Sequence, residues 1–155
     1  MDAGSGNAGG HGRAISLRGA MVRAQEGERV PRALGRLLEL VAGDPAGLAV
    51  LLFGSSVRGE RTATSDVDVC VVLRPGRYSN EELSHRRLDY LTLGALDVQI
   101  FQQLPLYLRR RVLKEGKVLY VRDEDALYEL AFRTARAFEN YKPVYRQYLN
   151  EVAGG

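Results

Sequence analysis

Residues 48–53, Leu-Ala-Val-Leu-Leu-Phe, form an unbroken apolar run that ends on Gly54-Ser55; after ten intervening residues a valine-rich run opens on Asp66-Val67-Asp68. No other feature limits the chain so strongly. A continuous apolar run of this length reads as a strand buried on both faces. Where it empties into Gly-Ser, glycine lets the backbone come close to a ligand. Free amides at the head of a short helical turn favour an anion, and the Ser55 hydroxyl adds a donor. Gly54 and Ser55 are therefore expected to cradle phosphate, although Gly-Ser alone occurs in any loop.

The carboxylates sharpen this. Residues two apart on a strand share a face, with Cα atoms roughly 6.5–7 Å apart. Asp66 and Asp68 can thus converge on one hard cation, which offsets the cost of two acids at the edge of an apolar strand. Mg²⁺ suits them, since it takes one or two carboxylates plus phosphate oxygens and water. The plainer alternative has Asp66 capping a turn and Asp68 facing solvent. Asp97 lies in a run where Leu96, Val98 and Ile100 point one way and Asp97, Gln99 and Phe101 the other. On a neighbouring strand it completes a site for two metals and is placed to take a proton from an attacking hydroxyl. Its alternative is a solvated aspartate at a strand start.

Around this constellation the chain reads as α/β. Helical spacing of Val30, Leu34, Leu37, Leu38 and Val41 predicts a helix over 30–41, with Pro31 in its first turn and Gly43-Asp44-Pro45 as its stop. Strands are expected at 48–53, 66–73 and 96–101. A helix is expected from Ser79, where Ser79 and Glu82 make a capping-box pattern. A short helix over 106–115 ends at Gly116, and 118–121 is a brief extended piece. Asp123 caps a long helix carrying Leu127, Leu130, Ala131, Thr134 and Phe138, which Pro143 is expected to kink or break. Residues 1–12 hold five glycines and no large apolar side chain. Residues 1–28 are thus expected to be a disordered or weakly ordered tail, and 29–150 the folded domain.

Composition adds limits. The 155 residues suit one domain, and 45% hydrophobic with 26% charged is ordinary for a globular protein. No apolar run approaches the roughly 20 residues that span a bilayer, and the start has no signal-peptide pattern. One cysteine, Cys70, excludes an internal disulfide and suits a reducing cytoplasm. The net charge of +3 helps attract a nucleotide but is too small to argue for duplex DNA. The 19 arginines against 3 lysines read first as codon bias and only second as phosphate recognition.

The spacing Gly54-Ser55, ten residues, Asp66-Val67-Asp68 resembles the signature of the nucleotidyltransferase superfamily that includes DNA polymerase β. The fuller stretch GSSVRGERTATSDVDVCVVL, with LDVQIF and RRVLKEGKVLYVRD downstream and the helix bearing Tyr141, is similar to the minimal nucleotidyltransferases, specifically the MntA antitoxins. The resemblance spans residues 48–149. It implies a small mixed sheet with flanking helices and a C-terminal helical extension. It also implies that Gly54 and Ser55 bind the β- and γ-phosphates of ATP, that Asp66 and Asp68 bind two Mg²⁺ ions, and that Asp97 binds the catalytic metal and activates the acceptor. In MntA-like proteins AMP passes to a tyrosine of a HepT-like HEPN toxin, so such a partner, encoded beside this chain, is expected. The chain has little room for the extra domains that larger relatives use to hold an acceptor. Alternatives are an aminoglycoside-type transferase and an antitoxin that acts by contact alone.

Other residues carry weaker signals. Arg58 either contacts phosphate or forms a structural salt bridge. Ser65 contacts metal or phosphate or, more simply, caps the turn before Asp66. Arg61 reads as solvated, and Arg109-Arg110-Arg111 as a solvated helix face. His11 and His85 lack the company of a zinc site, and Cys70 reads as a small buried hydrophobe. Tyr141, Tyr145 and Tyr148 read first as packing, second as a protein interface.

Overall fold

The computed structural model describes residues 13–14, 29–54 and 67–154. Its elements in chain order are β1 (Arg13–Ala14), α1 (Arg29–Gly43), β2 (Gly47–Phe53), β3 (Val67–Leu73), α2 (Asn80–Leu91), β4 (Leu96–Ile100), α3 (Leu106–Glu115), β5 (Lys117–Val121) and α4 (Glu124–Gly154), with a 3₁₀ turn at Phe101–Gln103. The mixed sheet runs β1-β5-β2-β3-β4. Among the described residues only the β3–β4 pair is parallel, and α2 makes the crossover that a parallel pair needs. The α/β class and the mixed sheet expected from sequence are both present. Arg13 and Ala14, within the segment read as a weakly ordered tail, pair antiparallel with β5. The rest of 1–28 lies outside the described residues.

Both faces of the sheet are covered, which is why β2 reads as continuously apolar. On one face Leu34, Leu37 and Val41 of α1 and Leu83 and Tyr90 of α2 pack on Val50, Leu52, Val69, Val71 and Val98. On the other, Val112 of α3 and Leu127 of α4 pack on Leu48, Leu51, Cys70, Val72 and Phe101. The caps behave as their chemistry dictates. Ser79 Oγ accepts from the Glu82 amide at 3.0 Å, and Asp123 Oδ1 accepts from the Ala126 amide at 3.1 Å.

The brief extended piece expected at 118–121 is present as β5, which lies between β1 and β2. Three details differ from the sequence expectations. Phe101 leaves β4 and turns into the core within the 3₁₀ turn, 1% exposed. Pro143 does not break α4, which continues to Gly154. That proline is exposed, so the backbone group it deprives can turn to water. Arg109 and Arg110 are not a solvated face. Arg109 donates to the carbonyls of Leu104 (2.8 Å) and Gln102 (3.0 Å) and lies over Phe101, while Arg110 stacks 4.8 Å from the centroid of Phe138.

Arg122 ties several segments together. Its guanidinium donates to the carbonyls of Gly47 (2.7 Å), Ala42 (2.6 Å) and Asp44 (3.0 Å), joining β5 to the C-terminal end of α1, where carbonyls lack intrahelical partners. Arg122→Ala is expected to lower stability by about 2–4 kcal/mol, because several part-buried bonds from one charged donor are lost together, although the Asp44 carbonyl keeps the Gly47 amide at 2.9 Å. Urea unfolding checks this; a midpoint shift equivalent to less than about 0.5 kcal/mol, the level of an ordinary surface change, refutes it.

Candidate active site

Gly54 ends β2 with φ +78°, a left-handed backbone that favours glycine. The register brings the acids to it. Phe53 pairs with Asp68 across the antiparallel β2–β3 ladder, and Asp68 pairs with Asp97 across the parallel β3–β4 ladder. Neighbouring strands lie about 4.8 Å apart, so these two carboxylates stand side by side on one sheet face. Both are half-buried, between the fully buried Val67 and Val69 on β3 and between Leu96 and Val98 on β4. The alternation read from sequence holds for Asp97.

A Cβ at Gly54 would run into the Asp68 carboxylate, coming within 3.0 Å of its Cγ. The glycine thus serves the close approach of Asp68 itself, besides any ligand. Ser55, Arg58, Ser65 and Asp66 lie outside the described residues, as does Arg61.

A cleft of about 390 Å³ opens over this edge. Gly54, Asp68, Asp97 and Gln99 form its polar side; Phe53, Leu104, Leu108 and Val112 form an apolar wall, with Arg111 and Glu115 at the rim. The contribution of α3 was not foreseen. Leu108, Arg111, Val112 and Glu115 follow i, i+3, i+4, i+7 spacing and so share one helical face; the spacing is visible in sequence, but what that face meets is not. Arg111 and Glu115 are 3.4 Å apart. Gln99 Nε2 donates to Asp97 Oδ1 at 3.2 Å, and the Arg87 guanidinium stands 4.0 Å from the same oxygen.

The donor set suits a hard divalent cation: carboxylate oxygens on one face, open to solvent, beside a glycine that leaves room. Among the described residues, no three His, Cys, Asp or Glu side chains gather to hold a metal. Asp68 and Asp97 supply two acids, and the expected third, Asp66, is not described. His85 is exposed and in no such group.

Cys70 faces the same side as Asp68 but sits in the core, and burial pushes its thiol up to about 12. It is no nucleophile at neutral pH. The folded state therefore holds this proton more tightly than the unfolded chain does. The corresponding stability is intact below the ordinary thiol value of 9.0 and is lost as pH rises towards about 12. Native protein is expected to resist thiol reagents at pH 8 and to react once unfolded; prompt labelling of native protein would contradict its burial.

Tyr141 and Tyr148 are not core residues. They are 37% and 57% exposed, and with Val144, Leu149 and Val152 they leave an apolar stripe on the C-terminal half of α4. Among the described residues no helix is long and apolar enough to cross a membrane.

Residues 37–125 match the family model described as polymerase beta, nucleotidyltransferase. A Methanocaldococcus jannaschii protein provisionally named a protein adenylyltransferase is 36% identical over 76 residues, 46% of this chain and 53% of that protein. The match thus spans about half the length of that relative. Among solved structures, a toxin–antitoxin crystal structure with AMP-PNP superimposes at TM-score 0.62 with 18% identity, covering 79% of this chain and 97% of the other. A tri-AMPylated Shewanella oneidensis HEPN toxin in complex with MNT antitoxin gives 0.58 and 15%, covering 86% and 98%. An MntA–HepT complex gives 0.58 and 15%, covering 79% and 97%. At such identities the likeness is one of fold.

Proposed function

The chain belongs to the polymerase β nucleotidyltransferase family, a family of enzymes, and we propose that it moves AMP from ATP to a tyrosine hydroxyl of a HepT-like HEPN toxin encoded beside it. The observation that carries this reading is the register setting Asp68 beside Asp97 at the mouth of a cleft that begins at Gly54. In this proposal Gly54 and Ser55 hold the β- and γ-phosphates, with Arg58 and Ser65 as further nucleotide contacts. Asp66, Asp68 and Asp97 would hold two Mg²⁺ ions, whose chemistry there would be to neutralise phosphate charge and acidify the attacking hydroxyl. Asp97 accepts the acceptor's proton. The acceptor oxygen forms a bond to the α-phosphorus, the bond from that phosphorus to the bridging oxygen breaks, and pyrophosphate leaves. The working unit is the domain at 29–150, acting in the cytoplasm.

A protein acceptor is favoured over a small molecule by the exposed apolar stripe of α4, since contiguous apolar surface marks interaction sites. The relatives in toxin–antitoxin complexes, one with an AMPylated HEPN toxin, point the same way. AMP on a nuclease tyrosine adds bulk and negative charge, which repels RNA phosphates.

Mixing the protein, Mg-ATP and the neighbouring gene product, then weighing intact chains, tests the reading. AMP additions on a partner tyrosine are expected, and none with Asp68→Asn. A partner that is inhibited yet unmodified replaces transfer with neutralisation by contact. AMP on an aminoglycoside, with the partner untouched, replaces the acceptor class.

A further inference from the structure

Asp97 is the acid that the proposed reaction asks most of, and its side chain is 43% exposed. Nothing intrinsic fixes its carboxylate, because the terminal torsion of aspartate is broad and nearly two-fold. The local structure supplies what the torsion lacks. Alternation along β4 puts Gln99 on the same face, and its Nε2 donates to Asp97 Oδ1 at 3.2 Å. Arg87, on α2, approaches that same oxygen at 4.0 Å while its Nε donates to the Val98 carbonyl at 3.0 Å, which anchors the guanidinium. Both donors therefore converge on Oδ1. Among the described residues, Oδ2 has no hydrogen-bond partner.

We propose that Gln99 is a positioning residue: it tethers one oxygen of Asp97 so that the other is presented to the cleft in a fixed orientation. This rests on the role given to Asp97 under Proposed function. A neutral amide suits the task. It orients the carboxylate without cancelling its charge, whereas a second arginine at this position would compete for the oxygen a cation needs. Gln99 also lines the cleft, so the tether lies in the same cavity as the acid it orients. Groups that orient a metal-binding carboxylate by hydrogen bonds commonly matter nearly as much as the ligand itself.

Gln99→Leu keeps the approximate size and removes the donor; Gln99→Glu keeps the shape, removes the donor and adds repulsion. For both, kcat is expected to fall about 10–100-fold while KM for ATP stays within about twofold, the split that separates orientation from nucleotide binding. Without turnover, Mn²⁺ binding in the presence of a non-hydrolysable ATP analogue, read by electron paramagnetic resonance, should weaken by about the same factor. In metal-free protein the side-chain amide resonances of Gln99 should move when Asp97→Asn is introduced. Melting temperatures should stay at the parent value.

Asp97→Asn separates the two ideas. If it transfers nucleotide as the parent does, the reading of the site fails and positioning with it. If it is inactive while both Gln99 variants keep parental kcat and Mn²⁺ affinity, positioning alone is overturned. A fall in kcat that merely tracks a lower melting temperature also overturns it.

Discussion

Asp68→Asn is expected to abolish nucleotidyl transfer and leave the fold intact. The amide has the shape of the acid, so no cavity opens in a strand whose other residues are buried. What it removes is charge at the point where β2, β3 and β4 bring Gly54, Asp68 and Asp97 together. A lost metal ligand should cost more than the 10–100-fold typical of outer partners, so a fall of at least roughly 10³-fold is expected. Asp66→Asn and Asp97→Asn should behave alike. Stability should hold or rise in the metal-free protein, because two carboxylates on adjacent strands repel. Transfer of radiolabelled AMP, read beside a thermal melt, checks both halves. Retained transfer by Asp68→Asn with metal present would end the two-metal reading.

The sequence carried the parts of this site that depend on local periodicity. The fully apolar 48–53 run, the alternation of 96–100 and the helical spacing at 30–41 each state which side of an element is buried, and the sheet obeys them. What alternation cannot state is register. That Asp68 stands beside Asp97, and not beside Val98, is settled by β3 and β4 meeting in parallel across α2. Contributions from distant segments were illegible for the same reason. Arg122 closes the end of α1 from some 80 positions away, and β5 pairs with β2 although four or five residues give no hint of their partners. Arg109 and Arg110 follow this pattern, since a local run of cations looks solvated until Phe101 and Phe138 arrive beneath it. Pro143 is a different case: the rule against proline in helices is a cost, and an exposed position inside α4 bears it without a break.

Gly54→Ala is expected to damage stability and nucleotide binding together, for a reason internal to the protein. At φ +78° a non-glycine residue costs about 1–2 kcal/mol in backbone strain. The new Cβ also meets the Asp68 carboxylate, which must turn away from the place where it faces Asp97. Chemical unfolding should therefore show a loss larger than strain alone, and calorimetry should show weakened binding of Mg²⁺ with a non-hydrolysable ATP analogue. The two causes separate in a double-mutant cycle. In an Asp68→Ala background the carboxylate is gone and only the Cβ contact at 3.1 Å remains, so Gly54→Ala should cost little more than the backbone share of about 1–2 kcal/mol. A coupling energy of at least about 0.5 kcal/mol between the two sites is the expected result. If the costs simply add, the glycine is required by the backbone alone. If Gly54→Ala binds the Mg-nucleotide like the parent, Gly54 has no part in the phosphate cradle.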